Sequence, residues 1–175
     1  MMRSACFFIL LFFCTSCNVN DNVANRNNFF EKCRKLVLSE NKKNQQYFFK
    51  KIDSTISERT VSYIGNANIE GGKTVKIIIS FDKSGYFEDS KIVSSAVYLY
   101  DKNDNVIGGY FGGGAWARKV KIQNGSLIFS YDDSECNLST VISLEDSIPR
   151  QIFINCNEGG GSIYSFSKDI EWIKK

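Results

Sequence analysis

Carboxylates are the side chains of this chain whose clustering could support hydrolysis. Asp132, Asp133 and Glu135 stand together before Cys136, and two carboxyl groups held apart in a cleft can cleave a glycosidic bond. Consecutive residues of a strand point to opposite faces of a sheet, so Asp132 and Asp133 are not a natural pair. We interpret the cluster as a solvated turn, and a carboxylate-based cell-wall hydrolase is a minor alternative.

Two segments match the Ser-x-x-Lys pattern of serine acyltransferases, Ser80–Lys83 and Ser165–Lys168. The companion motifs of those enzymes are missing, and neither serine is expected to begin a helix. The chain contains no histidine, which removes imidazole as a base and as a metal ligand. We therefore expect no catalytic residues and no enzymatic activity.

The segment after Tyr100 begins like a calcium-binding loop. Asp101, Asn103 and Asn105 occupy alternate positions, as oxygen ligands do in an EF-hand. That motif then requires glycine at its sixth position and glutamate at its twelfth, where this chain has Val106 and Gly112. We interpret these residues as a hairpin turn, and we expect neither a metal site nor another cofactor.

The glycine-rich segment Gly108–Gly114 contains Tyr110 and Phe111 and is followed by Trp116. It lacks the Gly-Lys-Ser/Thr ending of a phosphate-binding loop. Glycines in antiparallel sheets mostly mark bulges, bends or loops. Mobile backbone beside exposed aromatic side chains also suits a binding surface, so Tyr110, Phe111 and Trp116 are the candidate partner-binding residues.

Length and composition indicate the kind of domain to which these residues belong. A chain of 175 residues with 43% hydrophobic and 23% charged residues is typical of one folded domain. Its net charge of +3 is spread along the chain, and no Lys/Arg block is longer than two residues. Nucleic-acid binding requires a concentrated basic face, so we expect no nucleic-acid partner.

One helical segment precedes a series of strands. Apolar residues at helical spacing predict an amphipathic helix that faces a core: Phe29, Phe30, Cys33, Leu36 and Val37. Further helical turns are predicted at Gln45–Ile56, either as a second helix or as a continuation of the first.

Alternating apolar residues and turn signals predict eight later strands: Lys73–Asp82, Ser94–Asp101, Asn105–Tyr110, Ala115–Gln123, Ser126–Asp132, Leu138–Leu144, Gln151–Asn157 and Ser162–Phe166. The predicted fold class is α+β, with the N-terminal amphipathic helical segment packed on an antiparallel β-meander. That meander is expected to be a curled sheet, a half-barrel or a sandwich. Residues 28–175 form its single domain.

The N-terminus has the layout of a processing signal. Arg3 provides a positive start, the nine residues Ala5–Phe13 are apolar, and small residues follow up to Cys17. A membrane-spanning helix needs about 20 apolar residues, so this run is too short to span a bilayer. A positive start, a short apolar stretch and small residues before a cleavage site are typical of a secretory signal peptide.

This segment resembles the signal peptide of bacterial lipoproteins, in which a small residue precedes a cysteine that is acylated and becomes the mature N-terminus. Ser16 precedes Cys17 in this way, whereas bulky Phe13 precedes Cys14. The resemblance implies that residues 1–16 are removed, that Cys17 carries the lipid, and that 17–27 form a flexible tether. Asn18 after Cys17 implies transfer to the periplasmic face of the outer membrane, where more than one acyl chain gives stable attachment.

Cleavage after Ser16 leaves four cysteines: Cys17, Cys33, Cys136 and Cys156. Outside the inner membrane thiols tend to pair. A hairpin that places Leu138 opposite Ile154 also places Cys136 opposite Cys156, at a separation that a disulfide spans. We predict the Cys136–Cys156 disulfide and a buried free thiol at Cys33, and pairing of Cys33 with one of the other two is the alternative.

These inferences lead to a function in the cell envelope. We expect a lipid-anchored periplasmic protein without catalytic activity that binds another protein. Small β-rich lipoproteins of this kind include inhibitors and immunity proteins that neutralise toxins or hydrolases attacking the envelope. The alternative is an assembly or structural lipoprotein that is accessory to a secretion or surface complex.

Overall fold

The computed structural model describes residues 23–52, 55–117, 119–130, 138–157 and 160–168, and it describes only the backbone of 23–28. The described residues start with an α-helix, α1 (Val23–Glu40), and ten strands follow it. They are β1 (Gln46–Ile52), β2 (Ile56–Ile69), β3 (Lys73–Gly85), β4 (Ile92–Tyr100), β5 (Val106–Gly113), β6 (Val120–Gln123), β7 (Ser126–Ser130), β8 (Ser139–Ser143), β9 (Gln151–Asn157) and β10 (Gly160–Ser167).

The strands form two antiparallel sheets. The large sheet has seven strands in the order β1-β2-β3-β4-β5-β10-β9, and the small sheet has the order β6-β7-β8. The strand order is linear in both, so neither sheet closes into a barrel. The predicted α+β class with antiparallel strands is confirmed in this coarse form, with β-structure predominating.

The middle of the large sheet is buried on both faces. On β4, Ala96, Tyr98 and Tyr100 pack toward α1 in one apolar cluster, which also includes Val37 and Leu38 of the helix. A second cluster takes the opposite side of β4, together with residues of the small sheet: Val97, Leu99, Leu127 and Phe129. The fold therefore has three layers, with α1 on one face of the large sheet and the small sheet on the other.

A β-bulge lets strand β2 contribute to both layers. Val61 and Tyr63 belong to the cluster beneath α1, whereas Ile64 and Ala67 belong to the cluster beneath the small sheet. The pairing of β2 with β3 shifts between Tyr63 and Gly65, and one extra residue changes the face to which later side chains point. Consecutive parts of one strand thus face different layers.

The prediction of helical turns at Gln45–Ile56 is wrong. Residues Gln46–Ile52 form strand β1, which pairs antiparallel with β2 from Ile56 onward. Tyr47 and Phe49 pack against the cluster beneath α1, while Phe48 and Ile52 on the other face of the strand are exposed. The alternation of burial has a period of two, which is the period of a strand.

A buried ion pair within the large sheet lies directly beneath α1. Arg59 of β2 donates to both carboxylate oxygens of Asp82 on β3, with an Nη2–Oδ2 distance of 2.6 Å. The Ser80 hydroxyl also donates to Asp82, at 2.8 Å. The aromatic ring of Phe30 on α1 covers the Arg59 guanidinium at 3.7 Å. Arg59 is therefore shielded from solvent and depends on Asp82 for its counter-charge.

Arg34 makes a second polar link between the helix and the sheet. Its Nε donates to the hydroxyl of Tyr100 at 2.8 Å, and its guanidinium lies 4.2 Å from the centre of the Tyr98 ring. Burial raises the pKa of Tyr100 to about 12, so its hydroxyl is neutral at ordinary pH. Both arginines are buried, and together they fix α1 to β2, β3 and β4.

No helix in the part of the chain that the structure describes is long and apolar enough to cross a bilayer.

Replacing Asp82 should destabilise the domain strongly. We expect Asp82→Asn to lower the free energy of unfolding by about 3–5 kcal/mol, because it leaves the buried Arg59 without a counter-charge. The control is Glu31→Gln, which breaks an exposed ion pair with Lys35 and should cost at most about 0.5 kcal/mol. Urea denaturation monitored by circular dichroism measures both changes, and equal costs would contradict the prediction.

Candidate functional site

The predicted partner-binding aromatics do not lie on an exposed loop. Tyr110 and Phe111 belong to strand β5, and both Tyr110 and Trp116 are buried in the core, which corrects the expectation of exposed side chains there. The Tyr110 hydroxyl donates to the carbonyl of Pro149 at 2.7 Å. Phe111 is partly buried against Tyr98, with ring centres 5.2 Å apart. Tyr110 and Trp116 thus belong to the core, and Phe111 packs against it.

The glycines of this segment make room for aromatic rings. A Cβ atom on Gly112 would lie 2.5 Å from Cε1 of Tyr164, and one on Gly108 would lie 2.5 Å from Cζ of Phe166. Trp116 stacks on Tyr164 with 4.0 Å between ring centres. Glycine is required because rings from β10 lie directly against the β5 backbone.

The structure describes two of the four cysteines for which the sequence analysis makes predictions. Cys33 is buried on α1 and is a free thiol, as predicted. Cys156 is disulfide-bonded, but Cys136 lies outside the described residues, so the Cys136–Cys156 pairing stays a prediction. The same holds for acylation of Cys17, which also lies outside them.

The hairpin from which that disulfide was inferred is wrong. Strand β8 pairs with β7, and β9 pairs with β10, so the two strands belong to different sheets. They nevertheless meet at a corner, where the amide of Leu138 donates to the carbonyl of Cys156 at 3.4 Å. The amide of Asn155 donates there to the Thr140 hydroxyl at 2.9 Å. The chain on both sides of the predicted disulfide therefore runs close together.

The other candidate motifs that the structure describes lie in a turn and on two strands. The carboxylate of Asp101 accepts the amides of Asn103 and Asn105 at 2.8 and 2.9 Å, which confirms a hairpin turn between β4 and β5. Ser80 is buried on β3, and Ser165 lies on β10. The acidic cluster at 132–135 lies outside the described residues.

The small sheet leaves part of the large sheet uncovered, and a groove with a volume of about 220 Å³ lies there. The pairing of β1, β2 and β3 places Phe48, Thr60 and Phe81 in one row across its floor. Ala117, from the connection between β5 and β6, borders it. Apolar and polar groups both line this groove: Gln46, Phe48, Glu58, Thr60, Ser62, Ile79, Ser80, Phe81, Lys83 and Ala117.

The charged groups of the groove differ in whether they form ion pairs. Glu58 accepts both Lys50 and Lys91, each at 3.0 Å, and hydrogen bonds from Lys91 and then Lys50 lower its pKa. Lys83 forms no ion pair with any residue that the structure describes, and its ammonium lies 5.8 Å from the centre of the Phe81 ring. A ligand here would therefore meet an unpaired cation beside an aromatic ring.

Strand β1 borders the groove and forms one edge of the large sheet. Within the described chain it pairs with β2 alone, so the backbone groups on its outer side are available to another strand. Phe48 is 63% exposed on this strand. Sequence reasoning missed this site because it assigned β1 to a helix, although it assigned Lys73–Asp82, which includes Ile79 and Phe81, to a strand.

Removing the Trp116 ring should cost far more stability than an exposed ring. Trp116→Ala deletes a buried side chain that stacks on Tyr164, and we expect a loss of about 3–5 kcal/mol in the free energy of unfolding. Phe48→Ala is the control and should change stability by less than about 0.5 kcal/mol. Chemical denaturation compares the two variants. A Trp116→Ala protein as stable as the control would mean that the ring does not belong to the core.

Cys33 should react slowly while the protein is folded. Burial raises the pKa of its thiol from 9.0 to about 11, which reduces the reactive thiolate about a hundredfold near pH 8. We expect alkylation at pH 8 to be at least that much slower in the native protein than in urea, and native labelling to increase as the pH rises. Peptide mapping identifies the modified cysteine. Rapid native labelling of Cys33 would contradict its burial.

Comparisons with protein-family models, with characterised proteins and with solved structures give no match for this chain. The site therefore has to be interpreted from its own residues.

Proposed function

We propose that this chain is a lipid-anchored periplasmic protein that binds another protein through the groove and the edge strand β1. The observation that carries this proposal is the coincidence of a sheet edge, where β1 pairs with β2 alone among the described strands, with a groove on the adjoining sheet face. An extended segment of a partner can pair with β1 through backbone hydrogen bonds while a side chain enters the groove. The role is binding, and the lipid anchor rests on the resemblance of residues 1–17 to a lipoprotein signal.

The size of the groove favours a side chain over a small-molecule ligand. Small-molecule sites commonly measure about 300–1,000 Å³, whereas this groove measures about 220 Å³ and is open along β1. Phe48 and Phe81 offer apolar contact, and Lys83 offers the unpaired charge. The partner segment best suited to it is extended, with an apolar side chain next to a carboxylate.

An envelope anchor places this groove where secreted hydrolases and toxins act. We therefore propose that the partner is an enzyme that attacks the envelope and that binding inhibits it, as an inhibitor or immunity protein does. Strand pairing with partly apolar side-chain contacts can hold a segment of an enzyme without any catalytic group on this chain.

Two groove variants test this proposal. Phe48→Ala removes the exposed ring, and Lys83→Glu reverses the unpaired charge. Each should weaken partner binding by about 1–2 kcal/mol, or roughly 5–30-fold, with little loss of stability. Val141→Ala is the matched control, because Val141 is exposed on β8 of the small sheet.

The measurement begins with affinity capture from detergent-solubilised envelopes and continues with titration of the purified partner. A partner that both groove variants lose and Val141→Ala retains supports the groove. Inhibition of a captured hydrolase at equimolar ratio supports the inhibitor role. A resident envelope component lost by the same variants would favour the assembly role, and equal binding by all variants would contradict the groove.

A further inference from the structure

Four large apolar side chains are exposed at one end of the large sheet. Ile52, Tyr86, Phe87 and Ile92 have exposed fractions of 71%, 74%, 73% and 74%. We call these four residues the apolar tip. Single exposed apolar side chains are common, whereas several at one end of a sheet can form an interaction surface.

Strand pairing places the members of the tip at the same end of the sheet, with Ile52 on the face that the small sheet borders and Ile92 on the face that α1 covers. Ile52 is paired with Ile56, which is paired with Gly85, and Ile92 is paired with Ser84. Tyr86 and Phe87 lie in the connection that follows Gly85. At about 3.3 Å per residue and 4.8 Å per strand, the tip extends over roughly 10 by 15 Å.

Charged side chains surround the tip. The lysines at this end of the sheet are Lys50, Lys51, Lys83 and Lys91, and the carboxylates described there are Glu58, Glu88 and Asp89. Lys50 and Lys91 are shared between Glu58 and Glu88. Lysines beside exposed tyrosine and phenylalanine are the combination found at membrane–water interfaces. With Asp53, which follows Ile52 in the sequence, the numbers of lysines and carboxylates at this end are equal, so contact with headgroups rests on the aromatic and lysine side chains and not on net charge.

Helix α1 begins at the same end of the molecule. Phe30 covers Arg59, which is paired with Asp82, whereas Arg34 reaches Tyr98 and Tyr100 further along the sheet. The helix therefore runs away from the tip. Val23 precedes Phe30 by seven residues, or about 10 Å of helix, and Gly85 lies three residues, or about 10 Å, beyond Asp82.

The start of α1 is thus level with the apolar tip. Five residues lie between Cys17 and Val23, and the six steps from one Cα atom to the next extend over at most roughly 20 Å. An acyl group on Cys17 would lie close to the end of the domain that carries the exposed tyrosine and phenylalanine. Two independent features, the course of α1 and the position of the tip, therefore point toward the same surface.

We infer that the apolar tip contacts the phospholipid bilayer to which the chain is anchored, with Tyr86 and Phe87 in the headgroup region. This inference rests on the acylation of Cys17 in the proposed function, but it does not depend on the groove. The anchor holds the tip at high effective concentration beside the bilayer, so a modest affinity is sufficient. Attachment through the lipid on Cys17 and contact through the tip together fix the orientation of the domain. The groove, with Lys83, then opens parallel to the membrane surface.

Fluorescence quenching by brominated lipids tests this contact. Phe87→Trp places an indole in the tip, and Val141→Trp places one at an exposed position of the small sheet as a matched control. The acylated full-length variants are reconstituted into phosphatidylcholine vesicles with and without bromine on the acyl chains, and the fluorescence of the unmodified protein is subtracted. We expect the Phe87→Trp signal to fall on brominated vesicles and the Val141→Trp signal to stay nearly unchanged.

The outcomes separate the tip from the anchor and from the groove. Protein that floats with vesicles without selective quenching at position 87 overturns the tip contact and leaves the anchor standing. Protein that neither floats nor carries acyl groups on Cys17 by mass spectrometry overturns both. Phe48→Ala should keep the quenching even if it loses a protein partner. A soluble dimer that Phe87→Ser dissociates, without quenching, would identify a second copy as the occupant and overturn the inference.

Discussion

The central constraint on this fold is that the middle strands of the large sheet must be covered on both faces. Strand β4 carries Tyr98 and Tyr100 on one side and Val97 and Leu99 on the other, and all four are buried. A single cover would leave one of these sets in water, at a cost of about 1.5–3 kcal/mol for each large apolar side chain. The helix and the small sheet are therefore both required. The bulge in β2 allows this one strand to contribute side chains to the clusters beneath both of them.

The exposed features lie where these two covers end. The small sheet reaches over part of β2 but leaves the rows of Phe48, Thr60 and Phe81 open, which produces the groove. At the end of the same strands neither layer covers the residues at the β3–β4 connection, which leaves Tyr86 and Phe87 exposed. The groove and the apolar tip are consequently neighbouring parts of one uncovered region, and a membrane at the tip would limit the directions from which a partner can approach the groove.

Local sequence patterns predicted the parts of the fold that depend on local periodicity. The apolar spacing from Phe29 to Val37 gave the helix, and alternation gave strands such as β3 and β9 with nearly their observed bounds. The pattern failed at β1, because Phe48, Ile52 and Ile56 are spaced four residues apart and suit a helix equally well. Pairing with β2 decides the outcome, and that pairing is a tertiary interaction.

The candidate site could not be predicted for the same reason. Glycines near Tyr110 suggested a mobile loop, whereas they accommodate Tyr164 and Phe166, which lie more than fifty residues later in the chain. No local signal distinguishes a glycine that makes a loop flexible from one that admits a distant ring. The groove depends likewise on where the small sheet ends, which is set by packing between layers and not by any single segment.

The polar contacts beneath α1 connect the fold to the proposed location. Among the helix side chains that the structure describes, the buried apolar ones are Cys33, Val37 and Leu38, and apolar contact by itself is not directional. The contacts of Arg34 with Tyr100, and of Phe30 with Arg59, require particular positions. Since the segment to Cys17 continues directly from α1, these two contacts also determine where an anchor would leave the domain. The hydrogen bond from Arg34 to Tyr100 and the packing of Phe30 on Arg59 therefore select one position of the helix, and through it the point at which an anchor would leave the domain.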